Sequence, residues 1–347
     1  MKSEFLRRSI FKIGRGVKST TRRLIYMVAY HVGIVRLFYW INRNRVVVLT
    51  YHNVIPDALF DSSAHLVASH SESAFRAQAR IIGNRFRSSS WPATAGACVV
   101  TLDDGYRNQW VVAGPILERH ALRAIYFVPA EPLITGKCLV VDSILKWLSY
   151  CPSGTYRICD REISIANDNR VAVWYRIYGL ALANPDYWES IEEELDSQYS
   201  FARIEMQSGL DELRFVPLDR ADLNAIKAAG HQIGGHSWSH LPLATLSSHQ
   251  IAEDYRRSHE AMASHLGVKL YSYPYGSPRE VSDEVMRQCA QAGFEWGFIN
   301  NAAPFCGPDV DPRYCVTRLS LPNIADPYLI EAKLSGLEAA LSAVRRR

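Results

Sequence analysis

Two carboxylates stand side by side at Asp103 and Asp104, where the apolar run 98–102 stops at Gly105. Far along the chain, His236 and His240 stand four residues apart. Successive side chains on a strand point to opposite faces, so adjacent carboxylates serve one site only where the strand ends and the chain turns. Glycine permits such a turn. One carboxylate and two imidazoles make a three-ligand site for a divalent metal, with a position left for water. The other carboxylate is then free to act as a base. A solvated polar turn would account equally well for Asp103 and Asp104 taken alone. If the segment holding His236 and His240 is helical, both imidazoles lie on one face.

These residues need elements to hold them. Short apolar runs at 45–52, 98–102, 123–129, 231–235, 268–273, 296–299 and 314–319 read as strands. Runs with three-to-four spacing at 71–87, 109–120, 219–229, 246–267, 283–292 and 327–344 read as helices between and after them. That alternation implies a parallel sheet or a barrel. His52, Asp103, Asp104, His236 and Tyr275 all fall at carboxyl ends of predicted strands, the end that carries chemistry in α/β barrels. Residues 131–215 break the rhythm, with an amphipathic piece at 141–148, short strands within 155–173 and an acidic helix over 185–200. They read as an insertion, either over the site or as a plain surface elaboration. Phe294 and Trp296 read as core, His231 as a surface residue; Tyr106 either packs or lines the groove.

Composition sets the broader limits. The 347 residues, 48% hydrophobic and 21% charged, suit a globular α/β protein with a sizeable core. The net charge of +4 is concentrated before residue 46, where eleven Lys and Arg face a single acid, Glu4. The remainder is mildly acidic, which argues against a nucleic-acid-binding body. Residues 1–45 combine this basic excess with Tyr26, Phe38, Tyr39 and Trp40, as an interfacial helix on an anionic membrane surface does. A helix packed on the main domain, residues 46–347, is the alternative. The seven cysteines form no C-x-x-C pair, which points to a reducing compartment. The expected location is the cytoplasm, at the inner face of the membrane, with the periplasm as the alternative.

Together the motifs resemble those of the polysaccharide deacetylase superfamily, the NodB-homology or family-four carbohydrate esterases. Thr101-Leu102-Asp103-Asp104-Gly105 is similar to the family's first motif, and 230–240, ending His236-Ser237-Trp238-Ser239-His240, to its second. Tyr273-Pro274-Tyr275-Gly276 resembles the third, and Tyr51-His52-Asn53-Val54 the Tyr-His-x-Val signature of exopolysaccharide-associated members. The resemblance covers roughly 46–320 outside the insertion. It implies a distorted (β/α) barrel, with Asp103 as general base, Asp104, His236 and His240 as metal ligands, and the Tyr275 N–H as oxyanion donor. Two departures matter. Ser272 stands where the family has an arginine that steadies the base, and 316–321 lacks the family's acid histidine. Arg318 is the candidate to steady Asp103, and His52 the candidate acid.

The resulting expectation is a metal-dependent hydrolase that removes N-acetyl groups from N-acetylhexosamine polysaccharide or its precursor. Zinc is the default ion, with nickel and cobalt suiting the same ligands. An O-deacetylase or amidase with the same site is the rival enzyme, and a non-catalytic glycan-binding module the rival class. The sequence leaves the sugar, its linkage and the oligomeric state open.

Overall fold

The strands that the periodicity marks form, with β-branched and aromatic residues prominent in β1 to β3: β1 (Val47–Tyr51), β2 (Ala97–Leu102), β3 (Ala124–Val128), β4 (Gln232–Gly235), β5 (Leu270–Ser272), β6 (Trp296–Phe298) and β7 (Leu319–Ser320). The computed structural model describes residues 20–60, 69–204, 213–265, 269–303 and 306–344. The basic run from Lys2 to Lys18 therefore lies outside the described residues.

These seven strands are all parallel, in the spatial order β6-β5-β4-β3-β2-β1-β7, and the short strand Arg87–Ser88 pairs with β2 as an eighth, off this path. Every residue of β2 and β3 is buried, which is why both read as unbroken apolar runs. The register pairs Val47 with Cys98 and Tyr51 with Leu102, so β1 and β2 end level and deliver His52 and Asp103 to one rim. The sheet curls into a distorted (β/α) barrel. Its two edges meet through 316–320: Val316 donates to the Gly297 carbonyl (2.9 Å) and accepts from Ile299 (2.9 Å), while Leu319 pairs with Leu49.

Helices cover the outside for local reasons. Ser71 caps Glu72–Arg85 by accepting from the Ala74 N–H, and that helix buries Phe75, Ala79 and Ile82. Asp219 with Asp222, and Ser247 with Gln250, form capping boxes on Arg220–Ala228 and Ser248–Met262. Three predicted helices are interrupted. The run 109–120 opens as a π-turn, Gln109–Ala113, before Gly114–Arg119, because Pro115 has no N–H to close an α bond. The closing helix breaks at left-handed Gly336 into Pro327–Leu334 and Leu337–Val344. The apolar stretch before β1 breaks at left-handed Gly33 into Thr20–His31 and Ile34–Ile41, bent by 74°. Among the described residues no single helix is long and apolar enough to cross a membrane.

Residues 139–215 gather a second core around Trp147, Leu148, Ile177, Ile191 and Leu195. It is built from Val140–Tyr150, the hairpin Gly154–Ile158 and Arg161–Ile165, and the helices Arg170–Ala183 and Tyr187–Gln198.

Candidate active site

The ends of β1, β2, β4 and β5 converge on one cavity of about 330 Å³ lined by His52, Asp103, Asp104, His236, His240 and Tyr275. Arg318, from the segment leading into β7, lies buried behind Asp103. The seven residues singled out from sequence are thus brought together.

The turn after β2 separates the two carboxylates. Asp104 and Gly105 are both left-handed (φ 76° and 66°), which swings Asp104 off the strand. Asp103 stays in line, with its N–H on the Tyr51 carbonyl (2.9 Å). The Arg318 guanidinium forks both oxygens of Asp103, Nη1 to Oδ1 and Nη2 to Oδ2, each at 2.7 Å. The same guanidinium donates to the Ile299 carbonyl (3.1 Å), Thr101 Oγ1 (3.0 Å) and Ser272 Oγ (2.9 Å). Ser272 Oγ in turn donates to Asp103 Oδ2 (3.2 Å). The serine that departs from the family pattern therefore bonds both partners of the ion pair. Burial pushes the Asp103 carboxyl up, but the charge and hydrogen bonds of Arg318, together with His236 and His52 nearby, outweigh it and hold the group below its ordinary range.

Asp104 faces the two histidines. His236 Nε2 and His240 Nε2 lie 3.3 and 3.1 Å from Asp104 Oδ1. His236 Nδ1 donates to the Ser272 carbonyl (2.7 Å), which leaves the Nε2 lone pair turned to the site. The helix conditionally expected here does not form. His236–His240 is an irregular loop, and Ser237 and His240 are left-handed (φ 64° and 60°). Ser237 Oγ accepts from the His240 N–H (2.7 Å), and buried Asp254, from Ser248–Met262, accepts from the Trp238 N–H (3.0 Å). The loop thus brings the imidazoles to a ring separation of 4.9 Å without a helix. Asp104, His236 and His240 each offer one ligand atom within 4.8 Å of the others, all three residues buried. Two imidazole nitrogens and a carboxylate oxygen at this separation fit a divalent cation.

Tyr275 is also left-handed (φ 60°), at the centre of a tight turn closed by Gly276 N–H to the Pro274 carbonyl (2.6 Å). Its own N–H has no hydrogen-bond partner among the described residues. Its ring sits 4.9 Å from His240 and 4.9 Å from Tyr178. His52 is half-buried on the cavity wall.

The insertion supplies the opposite wall with Asp142, Leu145, Trp174, Tyr175 and Tyr178. Tyr178 ties it to the barrel through Glu280 Oε1 (3.0 Å). Asp142 is buried and accepts from the Tyr106 hydroxyl (2.7 Å). Burial pushes its carboxyl up to about 7, against the pull of that hydroxyl. Sequence reasoning missed Asp142. Its one signal was an acid at the head of the apolar piece 141–148. His231, read as a surface residue, is buried; its Nδ1 accepts from the Ala124 N–H (3.1 Å) and its ring meets Tyr126.

This barrel, with polar groups at the strand ends, is consistent with a NodB-type (β/α) barrel. Residues 195–296 match the family described as Polysaccharide deacetylase. The fold is similar to Streptococcus pyogenes deacetylase PplD in complex with acetate, at 14% identity over 82% of this chain and 96% of that one (TM-score 0.51). IcaB from Ammonifex degensii aligns at 17% identity over 83% and 96% (TM-score 0.47). The BpsB deacetylase domain from Bordetella bronchiseptica aligns at 14% over 80% and 96% (TM-score 0.42). No curated protein sequence matches. The matched stretch holds His236, His240 and Tyr275, while His52, Asp103, Asp104 and Arg318 lie outside it.

Proposed function

We propose that the protein is a divalent-metal-dependent N-deacetylase acting on an N-acetylhexosamine glycan or its precursor. The observation that carries this reading is the pairing of two carboxylates with two different partners. Asp103 is clamped by Arg318, while the neighbouring Asp104 is turned onto His236 and His240.

A divalent ion held by Asp104, His236 and His240, zinc by the nature of the donors, would supply Lewis acidity and lower the pKa of a nearby water. Asp103 is buried, ionised and fixed in orientation, so it is the group placed to accept the proton of the attacking water. The unbonded Tyr275 N–H is available to the oxyanion that forms when the acetyl carbonyl is attacked. His52, on the facing wall, is the group to give a proton to the departing amine. Trp174, Tyr175 and Tyr178 line the approach with the aromatic surface on which sugar rings pack, and Asp142 with Tyr106 offers bonds to sugar hydroxyls.

The test is acetate release from N-acetylglucosamine oligomers by the full chain, with bound metal measured in parallel. His236→Ala should lose stoichiometric metal and activity together. Asp103→Asn should keep the metal and lose turnover by a factor on the order of 10²–10⁴. Release of acetate from O-acetylated glycans alone would reassign the protein as an O-deacetylase. Full metal occupancy in His236→Ala would overturn the ligand set.

A further inference from the structure

The exposed apolar surface of the protein is unevenly distributed. Of thirteen large hydrophobic side chains exposed among the described residues, eight fall between Leu24 and Ile41, each 40–64% exposed. Leu24 and Val28 follow one face of Thr20–His31, Val32 lies in the turn after it, and Leu37, Trp40 and Ile41 belong to Ile34–Ile41. The opposite side of the pair is not free. Tyr26, Ala29 and Val35 are buried in a cluster with Ala332 and Leu337 of the two closing helices. A pair with one face fixed to protein and the other apolar and open suits the plane of a membrane interface.

Beside this face lies a cleft of about 300 Å³ lined by Arg36, Tyr39, Arg43, Arg45, Arg85 and Phe86. Glu331 neutralises Arg85 (2.6 Å), and Arg43 stacks on Trp40 (4.6 Å). Arg36 and Arg45 have no acidic partner among the described residues. Uncompensated guanidinium groups at the edge of an apolar face complement phosphate headgroups.

The cleft also fixes an orientation. Residues 42–46 run directly into β1, and the carbonyl of Arg43 packs against Gly96, next to the start of β2; a Cβ at Gly96 would lie 2.8 Å from it. The arginines therefore sit at the amino ends of β1 and β2, and the candidate active site at their carboxyl ends. Strands of five or six residues separate the two by roughly 20 Å.

We propose that the helix pair Thr20–His31 and Ile34–Ile41 docks the protein on an anionic bilayer. Its apolar face enters the interface, the Arg36/Arg43/Arg45 cleft takes lipid phosphate, and the catalytic rim faces away into the aqueous phase. Nothing in this docking depends on the reaction performed.

Flotation of the full chain with phosphatidylcholine vesicles, with and without phosphatidylglycerol, tests it. The protein should float with the anionic vesicles, and less so as salt rises. Arg36→Gln and Arg45→Gln should each weaken anionic binding about fivefold, the effect of one basic residue at such a surface. Leu24→Ser/Val28→Ser/Leu37→Ser should abolish flotation, with an unchanged circular-dichroism spectrum showing that the variant is folded. If the full chain stays in the aqueous phase with both vesicles, or the triple variant floats undiminished, docking is overturned. A concentration-dependent dimer broken by the triple variant, without flotation, would assign the face to a second copy. Stabilisation by inorganic phosphate without flotation would reduce the cleft to a soluble-anion site. Either result rejects the membrane.

Discussion

Arg318 is a guanidinium with no exposed side-chain surface, and Asp103 is nearly as deeply enclosed. Such a pair is held together less by its attraction than by the cost of leaving either partner alone. Arg318→Met should therefore destabilise the protein by about 3–5 kcal/mol in urea unfolding. Adding Asp103→Asn should recover part of that loss, so the double variant falls well short of the sum. Arg318→Lys keeps the charge but loses the fork, and should depress turnover more than stability. A separate expectation concerns His52. His52→Ala should slow an N-acetyl substrate strongly yet spare a nitrophenyl acetate, whose leaving group needs no proton; equal losses on both would make His52 structural. At this scale much was legible in the chain. Asp103 with Asp104, and His236 with His240, are near neighbours in sequence, so their spacing is informative. Arg318 was inferred from a gap in the family pattern. Asp142 was not legible, because its importance comes from a helix of the insertion reaching a strand end, and no local spacing encodes that contact. His231 was misread because burial behind Tyr126 is a tertiary fact.

At the scale of elements, the loops at the strand ends carry the strain. Asp104, Ser237, His240 and Tyr275 are four non-glycine residues in the left-handed region, all at the site. Gly276 shows how tightly one of these turns is packed. A Cβ there would lie 2.3 Å from the Asn300 nitrogen, on a backbone already at φ 65°. Gly276→Ala should displace the Tyr275 turn, destabilise the fold by more than about 1 kcal/mol and lower kcat, measured by thermal unfolding and steady-state rates. The Tyr178–Glu280 bond joins the insertion to that same loop. Tyr178→Phe should raise KM several-fold while kcat holds, with a stability loss of about 1 kcal/mol, because the wall loosens without touching the reacting groups. Periodicity located the strands and helices but ran through Gly33, Pro115 and Gly336, because the apolar face continues on both sides of each break. It likewise invited a helix at His236–His240, where side-chain and backbone bonds to Ser237 and Asp254 override the spacing.

For the molecule as a whole, buried histidines are expected to set the acid limit. His70 is buried against Tyr51, with Nε2 bonded to the Leu321 carbonyl (2.9 Å). Burial lowers its pKa from 6.5 to about 4, against the opposing effect of that carbonyl. The unfolded chain therefore takes up this proton first as the pH falls. The stability His70 supports is complete above pH 6.5 and is lost progressively toward pH 4, with a limiting slope of about 1.4 kcal/mol per pH unit. Urea midpoints measured across that window should fall with pH, and His70→Gln should flatten the fall. A slope unchanged in the variant would assign the acid sensitivity to other groups.

The segment that joins the two edges of the barrel is also the one that brings Arg318 to Asp103. Synthesis runs from the amino end, so the carboxylates, both histidines and Tyr275 all leave the ribosome before residue 318 does. Every candidate ligand therefore precedes, in the chain, the cation that pairs with Asp103. One short stretch thus serves as both the clasp of the barrel and the counter-charge of Asp103, so a chain cut before it would lose the two together.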